Sequence, residues 1–305
     1  MMVGLLQAAQ TIAAADLARS IAVIYPDIGE PYRSVFMKIA EGIDAQTGAR
    51  VARFPVGASV DAQELAAELR RQDVRAVIVL GRNGLKAAAA LDRTVGVIAG
   101  GVLSIPESEA RGLTVHSLAP DPALLFARLK GLLPGTKRVF VVYDPRQNDW
   151  LIRLAREAAK SHDLDLVALE AEDLKAALRL YRDLLASADA KRDVLWLLQD
   201  STTVDESAVL PLVLQEAWNR NLALFSSSVT HVKRGALFAL YPNNLELGRS
   251  LASAALGYVT SGVRTVVGVT PLREVLVAVN VRTANHLGID LGTRQQSFDM
   301  VFPEP

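Results

Sequence analysis

Two stretches of this chain are near-copies of one another. Residues 21–27 read IAVIYPD and residues 139–145 read VFVVYDP, with the same tyrosine followed by the same two residues in swapped order. A short run of β-branched residues that halts at aspartate and proline is the pattern of a buried strand entering a loop. The segments after the two copies also correspond: a polar loop, an amphipathic helix, then further apolar strands. The repeat predicts two similar halves, and two similar halves predict a cleft between them.

In the first half the strands fall at residues 21–25, 51–56, 76–80 and 95–99, and the helices at 32–46, 61–72 and 85–91. Leu65 and Leu69 share a face of one helix, and Val35, Phe36, Ile39 and Ile43 share a face of another. Residues 120–133 form a helix before the pattern restarts with strands at 139–143, 164–169, 194–198 and 222–225 and helices at 150–161, 173–186 and 208–220. From Gly235 the rhythm changes to a strand at 236–240, a long helix at 245–261, a strand at 275–279 and a short helix at 282–287. The tail from Gly292 is expected to be loosely ordered, with Phe298 and Phe302 able to dock. Continuous apolar strands alternating with amphipathic helices predict parallel sheets covered on both faces. Ligands of such sheets sit outside the carboxyl ends of the strands, near a topological switch point. That rule singles out loops 26–32, 81–84 and 100–104.

Lysine plus arginine equals aspartate plus glutamate at 33 each, so no excess of positive charge points to nucleic acid or anionic lipid. Cysteine is absent, which excludes disulfides, thiolate catalysis and thiolate metal ligation. The four histidines, His116, His162, His231 and His286, show no paired ligand spacing, and neither a metal site nor a cofactor is expected. No run approaches the ~20 apolar residues of a membrane span. Residues 1–19 have a weakly apolar middle and small residues at 13–15, but no basic start. They suit either an ordinary helix or tail, or a residual export signal. There is no G-x-S-x-G elbow, P-loop or dinucleotide fingerprint, so an enzyme is not expected.

The later part of the chain carries a resemblance. GALFALYPNNLELGRSLASAALGYVTSG (235–262) followed by VLVAVNVRTANHLGIDL (275–291) resembles the C-terminal part of ABC-transporter substrate-binding proteins of the tryptophan/tyrosine-binding type. The features are Gly235 before a strand, Leu247-Gly248-Arg249 within a helix, Asn280 ending a strand, and Ala284 before Leu287-Gly288. Residues 132–145, LLPGTKRVFVVYDP, resemble the same family's entry into its second lobe. The resemblance spans roughly residues 20 to 291. It implies the type I periplasmic-binding fold, two α/β lobes joined by three crossovers with the ligand between them. Carried over, lobe one is 20–119 plus 236–268, lobe two is 120–235 plus 269–291, and 292–305 is a tail. It further implies a small-molecule ligand, an ABC permease as partner, a periplasmic or extracytoplasmic location, and hinge closure on an amino-acid-like solute. A sensor built on the same fold is the alternative.

Candidate ligand-binding residues come from the strand ends. Asp200 is either an N-cap, part of a solvated turn, or a cleft-facing carboxylate for a ligand ammonium, and the resemblance implies an acid-bearing loop here. Asp27 and Asp144 end the two first strands, each a loop former or a contact. Arg82 and Asn83 lie at a helix entry suited to an anion. Family members often carry small hydroxyl residues at that loop, so this pair is a departure. Asn148 and Ser201 flank the second-lobe acids, Ser226, Ser227 and Ser228 offer hydroxyls, and Tyr32, Tyr143, Tyr241 and Trp150 either stack on a flat ligand or belong to the core.

Overall fold

The computed structural model describes residues 17–303 except 58–60, 90, 93, 104, 106–109, 111, 264–266 and 293–296. The chain divides into two units, residues 1–118 with 243–270 and residues 119–242 with 271–305.

Unit 1 is built on β1 (Ile21–Pro26), β2 (Ala52–Val56), β3 (Ala76–Leu80), β4 (Gly96–Val102), β5 (Thr114–Pro120) and β11 (Gly268–Leu272), in the order β11-β5-β4-β3-β1-β2. Pairings among β1 to β5 are parallel, and all five residues of β3 are buried, as a strand covered on both faces requires. Helices α1 (Tyr32–Thr47), α2 (Ala62–Arg71) and α3 (Gly81–Ala88) connect these strands. Asp61 caps α2 by accepting from Gln63 and Glu64 N–H at 2.9 and 3.0 Å. The long helix α9 (Asn244–Ser261) returns to this unit and crosses α1 at two glycines. A Cβ on Gly42 would lie 2.0 Å from Leu245 O, and one on Gly248 would lie 2.0 Å from Ile39 O. Only glycine lets the two backbones approach this closely.

Unit 2 contains β6 (Arg138–Tyr143), β7 (Asp165–Glu170), β8 (Asp193–Leu197), β9 (Ala223–Ser226), β10 (Phe238–Pro242), β12 (Val275–Asn280) and β13 (Met300–Phe302). Their order is β13-β12-β10-β9-β8-β6-β7, parallel except for β10 against β12. Around them lie α4 (Pro122–Leu132), α5 (Pro145–Ser161), α6 (Leu174–Ser187), α7 (Val209–Asn219), α8 (Val229–Arg234) and α10 (Val281–His286). Trp196, Phe225 and Phe238, on three neighbouring strands, stack nearly parallel with centroids 6.1 and 5.1 Å apart, and Phe126 of α4 meets Trp196 and Phe225 edge-on. Arg138 clamps Asp193 with two charge-assisted bonds of 2.8 and 2.6 Å, tying β6 to β8.

The repeat is now visible as topology. In both units the first strand is followed by one on its outer side and then by two on its inner side, β4-β3-β1-β2 and β9-β8-β6-β7. The expected two-lobed α/β class is therefore what the chain forms. Several boundaries differ from expectation. The chain does not leave the second unit at Gly235: β10 pairs with β9 and β12, and the return begins at Asn243, whose side chain caps α9. Helix α3 begins at Gly81 rather than residue 85, so Gly81 to Gly84 is its first turn and not a loop. Helix α5 begins at Pro145 rather than Trp150, because Asp144 accepts from Arg146 N–H as N-cap and proline suits the first helical position. Strands β5, β11 and β13 and helix α8 are additions to the expected elements. The tail is not loose where described, since β13 joins the sheet and Phe302 enters the core. Of the expectation for residues 1–19, residues 1–16 lie outside the described residues.

Candidate ligand-binding site

Each sheet has a switch point, between β1 and β3 in unit 1 and between β6 and β8 in unit 2. The strand-end loops at these points carry most of the candidate residues.

At the unit 1 edge, Asp27 follows β1, with its N–H donating to Val56 O at 2.8 Å and its side chain exposed. Glu30 holds the entry to α1 by accepting from Ser34 N–H and Oγ–H at 3.2 and 2.6 Å. Tyr32 opens that helix with 65% of its surface exposed, and Ile28 and Leu103 are also among the exposed large apolar residues. Gly81 has φ +68°, and a Cβ there would lie 3.0 Å from Pro26 Cγ, so the tight passage from β3 into α3 requires glycine. Arg82 is exposed and Asn83 half-buried on the first turn of α3. This edge thus presents an acid, a base, an amide and an aromatic ring to solvent.

The unit 2 edge is different. Asp200 is only 2% exposed. Its Oδ2 accepts from Asp144 N–H and Asn148 Nδ2, both at 2.8 Å, and its Oδ1 accepts from Thr202 and Thr203 N–H at 2.9 and 3.1 Å. A carboxylate has about four acceptor positions, and all are taken by this chain's own donors. Asp144, 1% exposed, accepts from Arg146 through Nε at 2.9 Å and a terminal nitrogen at 2.7 Å, and from Thr202 Oγ at 3.0 Å. The Arg146 bonds hold the Asp144 carboxyl down at about 2, against the opposing effect of burial. Gln147 reaches both Asp144 and Thr202 at 3.3 and 3.0 Å. Together these bonds lock the start of α5 to the loop after β8. Both acids have loop-forming bonds in this structure: Asp144 caps α5, and Asp200 closes the turn at Thr202 and Thr203. Ser201, next to Asp200, is exposed.

The hydroxyl candidates are turned inward. Ser226 is fully buried; its single hydroxyl hydrogen goes to Leu197 O at 3.0 Å, and it accepts from Ser228 N–H at 3.1 Å. His231 Nδ1 lies 2.7 Å away, so it is the ring nitrogen that donates to Ser226. Burial, reinforced by the charge of Arg234, pushes His231 down to about 4 and keeps it neutral. Ser227 and Ser228 are also buried, and Ser227 Oγ accepts from Trp196 Nε1 at 3.4 Å. Tyr143 belongs to the core: its hydroxyl donates to Glu170 at 3.0 Å, and burial, with that carboxylate, pushes it up to about 12. Tyr241 is half-buried against the unit 2 core, its hydroxyl shifted up by burial and the charge of Asp299. Trp150 is buried on α5, its indole N–H without a hydrogen-bond partner.

The structure thus brings Asp144, Asn148 and Asp200 into one cluster, places Ser226 and Ser227 at the next strand end, and gathers Asp27, Tyr32, Arg82 and Asn83 on the unit 1 edge. Sequence reasoning missed Arg146, Gln147, Thr202 and Thr203. The signals were Asp-Pro as N-cap and first helical residue, and Asp200 followed by residues whose N–H groups it accepts. Among the described residues, no group of three histidines or acids is placed to hold a metal ion.

The family model for ABC transporter substrate binding proteins matches residues 125–294, more than half of the chain. The chain belongs to that family. A comparison with curated protein sequences returns no match. Among solved structures, this binding protein is similar to a ligand-free, open substrate-binding protein with adhesive properties from Clostridium difficile, at 16% identity and TM-score 0.63, over 92% of this chain and 98% of that one. It is similar to an ABC domain in complex with L-Trp from Streptococcus pneumonia at 14% identity and TM-score 0.57, over 92% and 99% of the two chains. A conserved domain protein from Vibrio cholerae matches at 17% identity and TM-score 0.56 over the same shares. At these identities the likenesses speak for the fold, the type I periplasmic-binding architecture.

Proposed function

We propose that this protein is the extracytoplasmic solute-binding component of an ABC importer, taking up a small polar, amino-acid-like molecule without chemical turnover. The family match across residues 125–294 carries the reading. The repeated switch-point topology supports it, since it brings two sets of strand-end loops of the kind that hold ligands in open parallel sheets. Among the described residues no helix is long and apolar enough to cross a membrane.

The edges suggest a division of labour. Tyr32, Arg82, Asn83 and Asp27 are the side chains that reach solvent, suited to a ligand's ring, carboxylate and amine. The Asp144–Asp200 cluster would hold its own loops still, so that a ligand meets a preformed surface, with Ser201 and Arg146 as exposed polar side chains there. Ligand binding would draw the units together by hinge motion.

A thermal-shift screen over amino acids, nucleosides and small acids tests this. One class should raise the melting temperature in a saturable way, with a smaller radius of gyration in solution scattering. A folded protein that answers none of them and keeps its scattering profile would overturn the proposal, as would detectable conversion of any binder.

A further inference from the structure

A second concavity lies wholly within unit 2, at the end of the sheet opposite the strand-end loops. It is an open groove of about 600 Å³, lined by Pro211, Leu214, Gln215 and Trp218 of α7, Lys233 and Arg234 at the end of α8, and Arg282 and Thr283 of α10. Gly235, Asn280 and Pro303 complete it. The volume is within the range of pockets that enclose small organic molecules.

Three features separate this pocket from a chance gathering of surface lysines and arginines. Its floor is tied together: Asn280 Nδ2 donates to Val232 O at 2.8 Å, Thr283 Oγ donates to Gly235 O at 2.9 Å, and Thr283 N–H donates to Asn280 Oδ1 at 3.0 Å. The backbone positions of the cations are therefore set before any ligand arrives. One wall is a rigid aromatic stack, with Trp218 parallel to His286 at 3.6 Å, His286 held by Trp218 O at 3.0 Å, and the Arg282 guanidinium 5.5 Å from the Trp218 ring centre. The charge is one-sided, since the lining holds three cations and no acid; Glu206, 4.0 Å from Arg234, stands outside it.

We propose that this pocket is a second, accessory site for a small organic anion, an apolar or aromatic body with a carboxylate or phosphate. The body would lie against Trp218, Leu214 and Pro303, and the anionic group between the exposed Lys233, Arg234 and Arg282, whose charge-assisted donors suit it. It shares no residue with the strand-end loops, so it stands whether or not the importer reading does.

The test is calorimetric titration of the full chain with benzoate and with phenyl phosphate, set against neutral benzyl alcohol and cationic benzylamine. Either anion should bind with quenching of Trp218 fluorescence, a signal absent in Trp218→Phe. Which anion binds tighter names the headgroup. Benzyl alcohol should bind about tenfold more weakly and benzylamine not at all. Lys233→Glu, an exposed change, should weaken the anion about tenfold with an unchanged unfolding midpoint, and Arg282→Ala should act in the same direction. Anion binding unaffected by Lys233→Glu, or no response at millimolar anion, overturns the proposal. So does capture of an acidic peptide with no response to either small anion, which would assign the groove to a protein partner.

Discussion

The two switch points of this protein share a topology and differ in chemistry. At the unit 2 edge, two carboxylates are sunk below the surface and spend every acceptor on neighbouring N–H, hydroxyl and guanidinium donors. At the unit 1 edge, Asp27 and Arg82 remain exposed beside a largely uncovered Tyr32. The same position in the repeat thus serves rigidity in one unit and leaves side chains exposed to solvent in the other. A buried acid is tolerable only when fully bonded, and once fully bonded it has little left for a ligand.

The sharpest way to break the comparison is to delete an acid on each side. Asp200→Ala strands four inward-facing donors and should cost about 4 kcal/mol in urea unfolding, whereas Asp27→Ala should stay within about 0.5 kcal/mol. Equal effects would show that the edges do not differ as described. His231 offers a second contrast. Its folded pKa of about 4 lies below the ordinary 6.5. The stability this represents is present above pH 6.5 and is lost as pH falls toward 4, roughly 3 kcal/mol in all. Unfolding midpoints across that range should decline in the native protein and decline less in His231→Gln.

Within unit 1, Gly81→Ala places a side chain at φ +68° and against Pro26, which should cost about 1–2 kcal/mol. Because that turn carries Arg82 and Asn83, ligand affinity should fall along with stability. Smallest in stability, and most telling for function, are Tyr32→Ala and Arg82→Ala. Each should leave the unfolding midpoint within about 0.5 kcal/mol while weakening the ligand found by screening about tenfold. If both leave affinity intact while Ser201→Ala or Asn148→Ala abolishes it, the division of labour is reversed.

Much of this was legible in the residues. IAVIYPD and VFVVYDP do mark the first strand of each sheet, and continuous apolar runs such as AVIVL are central strands buried on both faces. These features are local, because periodicity and β-branching act within a few residues. Asp144-Pro145 is also a local helix-start signal, but reading it as the entry to a loop puts the helix five residues late. Strand β5 was harder, since residues 114–120 mix polar and apolar types, and β13 is a three-residue strand that exists only because β12 supplies its partner.

What residue types alone left open at Asp200, Tyr143 and Ser226 was direction. An aspartate after a strand is compatible with a ligand contact or a turn, and the choice depends on whether donors from elsewhere reach it. Here two of the four come from Asp144 and Asn148, more than fifty residues away. The sequence by itself determined the two-sheet repeat and the strand ends where polar residues gather. Only the tertiary structure decided which of those residues are consumed holding the loops and which stay exposed, because hydrogen-bond satisfaction is settled by neighbours in space.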